Sequence, residues 1–312
     1  MAAPLLDPAL VNGLVTGPVL RWYAEHARDL PWRDPTATPW GVLVSEVMLQ
    51  QTPVARVLPV WRDWLQRWPT PLALAADSAG EAVRAWGRLG YPRRALRLHQ
   101  TACALVDRHG GELPSTREEL LALPGIGDYT AAAVASFAFR QRHVVLDTNV
   151  RRVLVRCLGG QQLPPPAITR AERERAAVLL PDDPEEAATW AVAAMELGAL
   201  VCTAATPRCG ACPVSATCSW RRAGFPTYDG PVRPPQQYAG TDRQCRGRLL
   251  GVLREDTGPV HRSRLEAVWQ SGAQLDRCLE GLVSDGLVVA VAGDSYALPG
   301  GLPDAARGTD EP

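Results

Sequence analysis

Glu46 and Asp147 stand where carboxylates are costly. Glu46 lies in Gly41–Leu49, an apolar run that reads as a helix with Val42, Leu43, Val47 and Leu49 mostly inward. Burial disfavours a charged carboxylate and raises its pKa, as a general acid near neutrality needs. Asp147 follows Val144–Val145–Leu146, and a buried carboxylate persists only with a partner or a task. Between them, Gly125 and Gly127 flank Ile126 in a turn expected to use positive φ at both glycines. The alanine-rich run Ala131–Ala138 follows, with strong helix propensity. A glycine turn that presents backbone N–H groups at a helix start suits a phosphate; it also suits a plain helix–helix connection. Further on stands Cys202-x6-Cys209-x2-Cys212-x5-Cys218. Four thiolates at such spacing make a closed metal site, for which zinc is the general expectation. Cys103, Cys157, Cys245 and Cys278 show no ligand spacing and read as buried thiols.

Composition limits what these groups can do. The 312 residues carry 33 basic and 33 acidic side chains, for a formal charge of zero. Every basic residue other than histidine is arginine. Lysine-free composition beside 28 prolines fits a GC-rich genome, and it excludes a lysine Schiff base, hence side-chain-amine lyase chemistry. Charge is uneven: Arg84–Arg97 holds five arginines and no acid, Arg140–Arg156 five against Asp147, and Glu172–Glu186 six acids against two arginines. Balanced totals can hide a basic face, although each cluster could be ordinary solvated surface. No secretory pattern and no membrane-length apolar run stand out, and eight cysteines in such a chain suggest thiols or metal rather than disulfides.

Helices must position these groups. A first helix is expected over about Leu14–Ala27, then a proline-rich loop through Trp32 and Arg33 that the surrounding fold must place. Gln50, Gln51 and Thr52 end the Glu46 helix before Pro53. Trp61, Trp64 and Trp68 recur at helical spacing and read as core. Tyr91 sits on a Gly-Tyr-Pro turn inside an arginine cluster, where an exposed aromatic can wedge between bases. Glu172–Leu200 reads as helices, the last over Ala187–Cys202. After residue 242, helices over Arg246–Arg254, Ser263–Trp269 and Gln274–Asp285 precede strands over Gly286–Ala292 and Ser295–Leu298, a winged-helix order.

SEVMLQQT (45–52), LGY (89–91), LPGIGDYTA (123–131), LDTNVRRV (146–153), MELGALVC (195–202) and the cysteine loop together resemble the MutY-type adenine DNA glycosylases, helix-hairpin-helix enzymes with an iron–sulfur loop. The resemblance covers roughly residues 14 to 225. It implies an all-α, two-lobed core with a [4Fe-4S] loop, plus a small C-terminal winged-helix-like α/β module. The expected divisions are a flexible N-terminus (1–12), a core (13–225), a linker (226–242), the module (243–299) and a disordered tail (300–312). Within the core, lobe 1 covers about 30–138; lobe 2 combines 13–29 with 139–225 and includes the cluster loop 202–218.

The resemblance also implies roles. Glu46 protonates adenine N7, and Asp147 faces the oxocarbenium-like sugar. Asn149 holds Asp147 and a phosphate. Tyr129 stands where lyase relatives carry a lysine, which implies a monofunctional enzyme. Arg28, Leu30, Trp32 and Arg33 line the adenine pocket, and Glu196 fixes the adenine edge. Gln50, Gln51, Thr52, Tyr91, Gly125 and Gly127 contact DNA. Cys202, Cys209, Cys212 and Cys218 hold one [4Fe-4S] cluster. The expected partner is double-stranded DNA with adenine opposite 8-oxoguanine or guanine. A monomer with no membrane association is expected, in a bacterial-like cytoplasm with the nucleoid. The family's usual second aromatic is replaced by Pro92, and the C-terminal segment lacks the serine–histidine signature of the family's Nudix-like domain. A mismatch- or damaged-pyrimidine glycosylase, or an iron–sulfur redox-sensing DNA-binding regulator, would share parts of this pattern. A pyrimidine leaves Glu46 without an N7 to protonate, and a regulator leaves Glu46 and Asp147 unexplained.

Overall fold

The computed structural model describes residues 12–230 and 237–300. The expected flexible N-terminus and disordered tail therefore fall outside the described residues except for Asn12 and Gly300, as does part of the expected linker. The chain forms two compact units: Met1–Val42 with Ser115–Leu121 and Gly127–Val232, and Leu43–Pro114 with Ala122–Ile126 and Arg233–Pro312. No helix among the described residues is long and apolar enough to cross a membrane.

The first unit is helical. Its principal core joins Val19 and Trp22 of the Gly17–His26 helix to Val150, Val153 and Leu154 of the Thr148–Cys157 helix, and to Trp190, Ala194 and Leu197 of the Pro184–Leu200 helix. Local signals set the boundaries. Asp147 accepts from the Val150 N–H, Thr169 and Glu172 form a reciprocal capping box, and Asp183 accepts from the Glu186 N–H. Gly198 marks a close crossing, since a Cβ there would lie 2.7 Å from the Asn149 Cβ. A smaller cluster packs Ala132 and Ala133 of the Asp128–Phe139 helix on Val145 and Ala191, with Tyr129 and Phe137 against it. That packing places 128–139 in the first unit, whereas the sequence suggested a lobe boundary at 138. The alanines carry no directional signal, so only their neighbours decide the side.

The second unit buries the tryptophan stripe as expected. Trp64 is 1% exposed and meets Trp68 and Trp86 edge-on, at centroid distances of 4.6 and 5.7 Å. It also contains the C-terminal module. Helices Asp242–Glu255, Arg262–Glu266 and Gly272–Ser284 accompany a three-stranded antiparallel sheet with Ser295–Ala297 in the centre. Val289–Val291 pairs on one side of it, with Ala290 opposite Tyr296, and Val260–His261 on the other, with Val260 opposite Tyr296. The Val260–His261 strand was not expected, because two residues are too short to show a period. The module is not a free-standing appendage: Arg254 Nε donates to the Val83 carbonyl at 2.9 Å, the Gly80 N–H to Pro299 O at 2.7 Å, and Arg93 pairs with Asp285 at 3.0 Å.

Candidate active site and cysteine loop

Glu46 occupies the Pro39–Leu49 helix, and its exposure of 5% agrees with the apolar setting read from the sequence. The end of that helix is held by a residue the sequence did not single out. Arg94, buried on the Arg93–His109 helix, donates through Nη1 to the carbonyls of Val47, Met48 and Gln50 at 2.8, 2.9 and 2.7 Å. These are the carbonyls a helix C-terminus leaves without partners, and a cation there also suits the helix dipole. Nη2 of Arg94 donates to Thr52 Oγ1 and to Gly90 O, both at 3.0 Å. One guanidinium therefore joins the end of the Glu46 helix to the turn before Tyr91.

Thr52 was expected on DNA, but its side chain is buried. Its hydroxyl accepts from Arg94 and donates to Leu89 O at 3.1 Å. Gln51 and Tyr91 are exposed and hold left-handed backbones, with φ of 55° and 48°. Gln50 is half-buried.

The hairpin glycines differ in kind. Gly125 has φ +80°, and a Cβ on it would lie 2.8 Å from the Arg97 Cβ. Gly127, expected to share that conformation, is extended at φ −101°, with nothing within 4 Å of an added Cβ. The local turn needs glycine at 125 and not at 127; open space at 127 leaves the helix start approachable by a ligand. Asp128 in the first helical turn would oppose an anion, but Arg117 pairs with it and Arg173 lies 3.0 Å from it.

In the first unit, Asp147 caps the Thr148–Cys157 helix, accepting the Val150 N–H at 2.6 Å and Asn149 Nδ2 at 2.8 Å. Burial pushes its pKa up; the Val150 N–H, the Asn149 donors and the Arg152 charge pull the other way. Asn149 Oδ1 accepts from Arg152 Nη2 at 2.7 Å, and Arg152 also donates to the Gly198 and Cys202 carbonyls at 2.7 Å each. A continuous bonded path thus links Asp147 to the start of the cysteine loop. Tyr129 is half-buried in the first turn of its helix.

Glu196 is fully buried, and both of its oxygens are occupied. Oε1 accepts the Arg28 N–H at 3.1 Å and Nε at 2.7 Å; Oε2 accepts Arg28 Nη2 at 2.6 Å and Arg33 Nη2 at 2.8 Å. Although burial opposes it, these bonds and the nearby charges hold its pKa down to about 2. A carboxylate whose lone pairs are filled this way positions its arginines rather than accepting from a base. Arg33 Nη1 is buried with no partner among the described residues. Leu30 and Trp32 are buried beside it in sequence.

Among the cysteines, Cys202, Cys209, Cys212 and Cys218 are half-buried free thiols. Arg156 anchors their loop, donating to the Gln162, Thr203 and Ala204 carbonyls at 2.8, 2.7 and 3.0 Å and reaching Cys202 Sγ at 3.5 Å. Its guanidinium lies 4.5 Å from the Trp220 ring centroid. Burial, with the neighbouring Cys202, Cys218 and Cys209 adding to it, pushes the Cys212 thiol up to about 11. The four thiols are therefore electrostatic neighbours, yet among the described residues no group of three or more His, Cys, Asp or Glu could hold a metal ion. Arg151, Arg152 and Arg156 read as a basic cluster in the sequence; their burial makes them internal anchors instead. The spacing of Arg152 and Arg156, one helical turn apart, was the available signal.

Gly125→Ala should destabilise the protein by about 1–3 kcal/mol in chemical denaturation, from backbone strain and overlap. Gly127→Ala should unfold at an unchanged denaturant midpoint. A second expectation concerns Asp147. Its ionised form gains as pH rises through the raised pKa, so any rate that needs the carboxylate should climb on the acid side above the ordinary Asp range. Asn149→Ala removes a donor to that charged form and should move the acid limb to higher pH, read in single-turnover rates.

Comparison with known proteins agrees with this arrangement. Residues 44–177 match the family described as HhH-GPD superfamily base excision DNA repair protein. An adenine DNA glycosylase of Mycobacterium tuberculosis (strain CDC 1551 / Oshkosh) is 52% identical over 295 residues, covering 92% of this chain and 96% of that protein. The solved structure of a thermostable thymine-DNA glycosylase matches with a TM-score of 0.62 and 25% identity, covering 69% of this chain and 98% of that one. A non-covalent endonuclease III–DNA complex matches at 0.59 and 23% identity, over 71% of this chain and 99% of that one, a likeness of fold alone. With this identity sustained over nearly the whole of both chains, the protein belongs to the adenine DNA glycosylases of the helix-hairpin-helix superfamily.

Proposed function

We propose that this base excision repair glycosylase extrudes and hydrolytically removes adenine paired with 8-oxoguanine or guanine in duplex DNA, without cutting the strand. The observation that carries the reading is Glu46, an acid 5% exposed in an apolar helix of a chain that belongs to this family. Adenine leaves readily only when protonated, and a carboxyl beside N7 can supply that proton as a general acid. Glu46 gives that proton to N7. Asp147, charged and held by Asn149 and the Val150 N–H, stabilises the cationic sugar at C1′. Arg33, braced by Glu196, offers its unpaired Nη1 to a ring nitrogen of the adenine. Tyr129, a phenol, cannot form a Schiff base, and the chain has no lysine.

The same reading assigns a [4Fe-4S] cluster to Cys202, Cys209, Cys212 and Cys218. Four thiols within 17 residues can supply the four thiolates such a cluster requires. The cluster would brace the loop that Arg152 and Arg156 tie to the Asp147 helix. A monomer acting on the nucleoid in the cytoplasm completes the proposal.

An oligonucleotide panel tests it, with adenine opposite 8-oxoguanine, G, C and T. Abasic product is expected for the first two, with strand breaks only after alkali and negligible borohydride trapping. Glu46→Gln and Asp147→Asn should each slow release by about a hundredfold or more with DNA still bound. Efficient trapping, or normal release by Glu46→Gln, would remove the mechanism. Elemental analysis should find iron and acid-labile sulfide near four of each per chain; stoichiometric zinc without iron would refute the cluster.

A further inference from the structure

Tyr23 enters none of the assignments above. It lies on the Gly17–His26 helix, half-buried, and packs against the principal core of the first unit. The guanidinium of Arg33 lies over its ring, 5.9 Å from the centroid. An aromatic face attracts a cation out to about 6 Å. Burial pushes the Tyr23 phenol up, and Arg33 is the strongest of the nearby charges that act on it, ahead of Glu196, Arg140 and Arg28.

Arg28 and Arg33 share Glu196 but are not held alike. The Arg28 side chain is gripped twice, Nε on Oε1 at 2.7 Å and Nη2 on Oε2 at 2.6 Å, a fork that fixes the plane of its guanidinium. Arg140, the third cation near the phenol, is tied to Glu185 and Thr189. Arg33 has a single such bond, Nη2 on Oε2 at 2.8 Å. One bond leaves a guanidinium free to turn about it, and such a turn redirects Nη1. That is the nitrogen buried without a partner among the described residues. A buried donor left unmade is costly, and its direction matters most where a ligand is to satisfy it.

We propose that the Tyr23 ring supplies the missing constraint: Glu196 holds Nη2, the aromatic face holds the plane, and Nη1 is presented as a donor of fixed direction that reads an acceptor nitrogen in the purine ring. Tyr23 is then a positioning residue that sets base selectivity through Arg33. A base without that acceptor leaves Nη1 buried and unpaired, and a site built around a hydrogen bond discriminates best in this way. The inference rests on the glycosylase reading and adds to it the residue that decides how strictly a ring acceptor is demanded.

The test measures single-turnover base release by the full-length protein from duplexes carrying adenine, 1-deazaadenine or 3-deazaadenine opposite 8-oxoguanine. Both analogues keep N7 for Glu46, and each replaces one ring acceptor by C–H. The parent should release adenine at least about tenfold faster than one of the two. The intrinsic lability of each analogue cancels when a variant is compared with the parent. Tyr23→Leu should cut that preference roughly threefold to thirtyfold, the range of a cation–π contact, by slowing adenine and not the analogue. Tyr23→Phe should keep the preference, because the face and not the hydroxyl holds Arg33. Pentafluorophenylalanine in place of Tyr23 retains the shape of the ring and reverses its quadrupole. It should act as Tyr23→Leu does, and it decides the question if the leucine variant fails to fold. A Tyr23 that only packs would instead slow adenine and both analogues equally when shortened, and would keep the preference when fluorinated. Either result, or a parent indifferent to both analogues, would overturn the clamp while adenine release upheld the glycosylase reading. A parent that released no adenine would sink that reading, and the clamp with it.

Discussion

A guanidinium removed from water must find acceptors for its donors, or its burial costs several kcal/mol. This chain meets most of that need with main-chain carbonyls at its key junctions, although Arg94 Nε is buried without a partner among the described residues. Arg94 collects carbonyls from the end of the Glu46 helix and from the Tyr91 turn. Arg152 collects those of Gly198 and Cys202 while holding Asn149, and Arg156 those of Gln162, Thr203 and Ala204. Irregular segments gain fixed positions because each arginine would be costly to leave unpartnered. Lysine, a point donor without the planar fork, could not span such sets.

The carboxylates show how environment separates roles within one residue type. Glu46 sits among apolar side chains in the Pro39–Leu49 helix. Asp147 is poised between burial, which favours the proton, and donors that favour the charge. Glu196, as deeply buried as either, stays ionised because Arg28 and Arg33 fill its lone pairs. Burial alone does not separate Asp147 from Glu196; the donors around each do.

The alignment with the mycobacterial relative leaves out only 8% of this chain, so most of the C-terminal module lies within the shared length. In the structure that module belongs to the unit that contains Tyr91 rather than standing apart. Its attachment runs through bonds such as Arg254 to Val83 and Gly80 to Pro299. Such contacts leave no periodic trace, which is why a linker rich in proline and glycine suggested independence.

Local chemistry was legible in the sequence because it depends on neighbours a few residues away. The apolar run around Glu46, the tryptophan stripe and the cysteine spacing all belong to this class. So does Gly125, whose turn demands a left-handed residue. Tertiary structure decided the rest, because it depends on which distant groups meet. Nothing near Arg94 in sequence marks it as a buried anchor rather than basic surface, the one-turn spacing of Arg152 and Arg156 puts them on one face without saying what that face touches, and nothing near Thr52 shows its hydroxyl turned inward. Glu196 became a brace only when Arg28 and Arg33, more than 160 residues away, filled its oxygens. Spacing along a helix determines which face a side chain occupies; only packing determines what that face touches, and so whether a charge is solvated, paired or left free for a ligand.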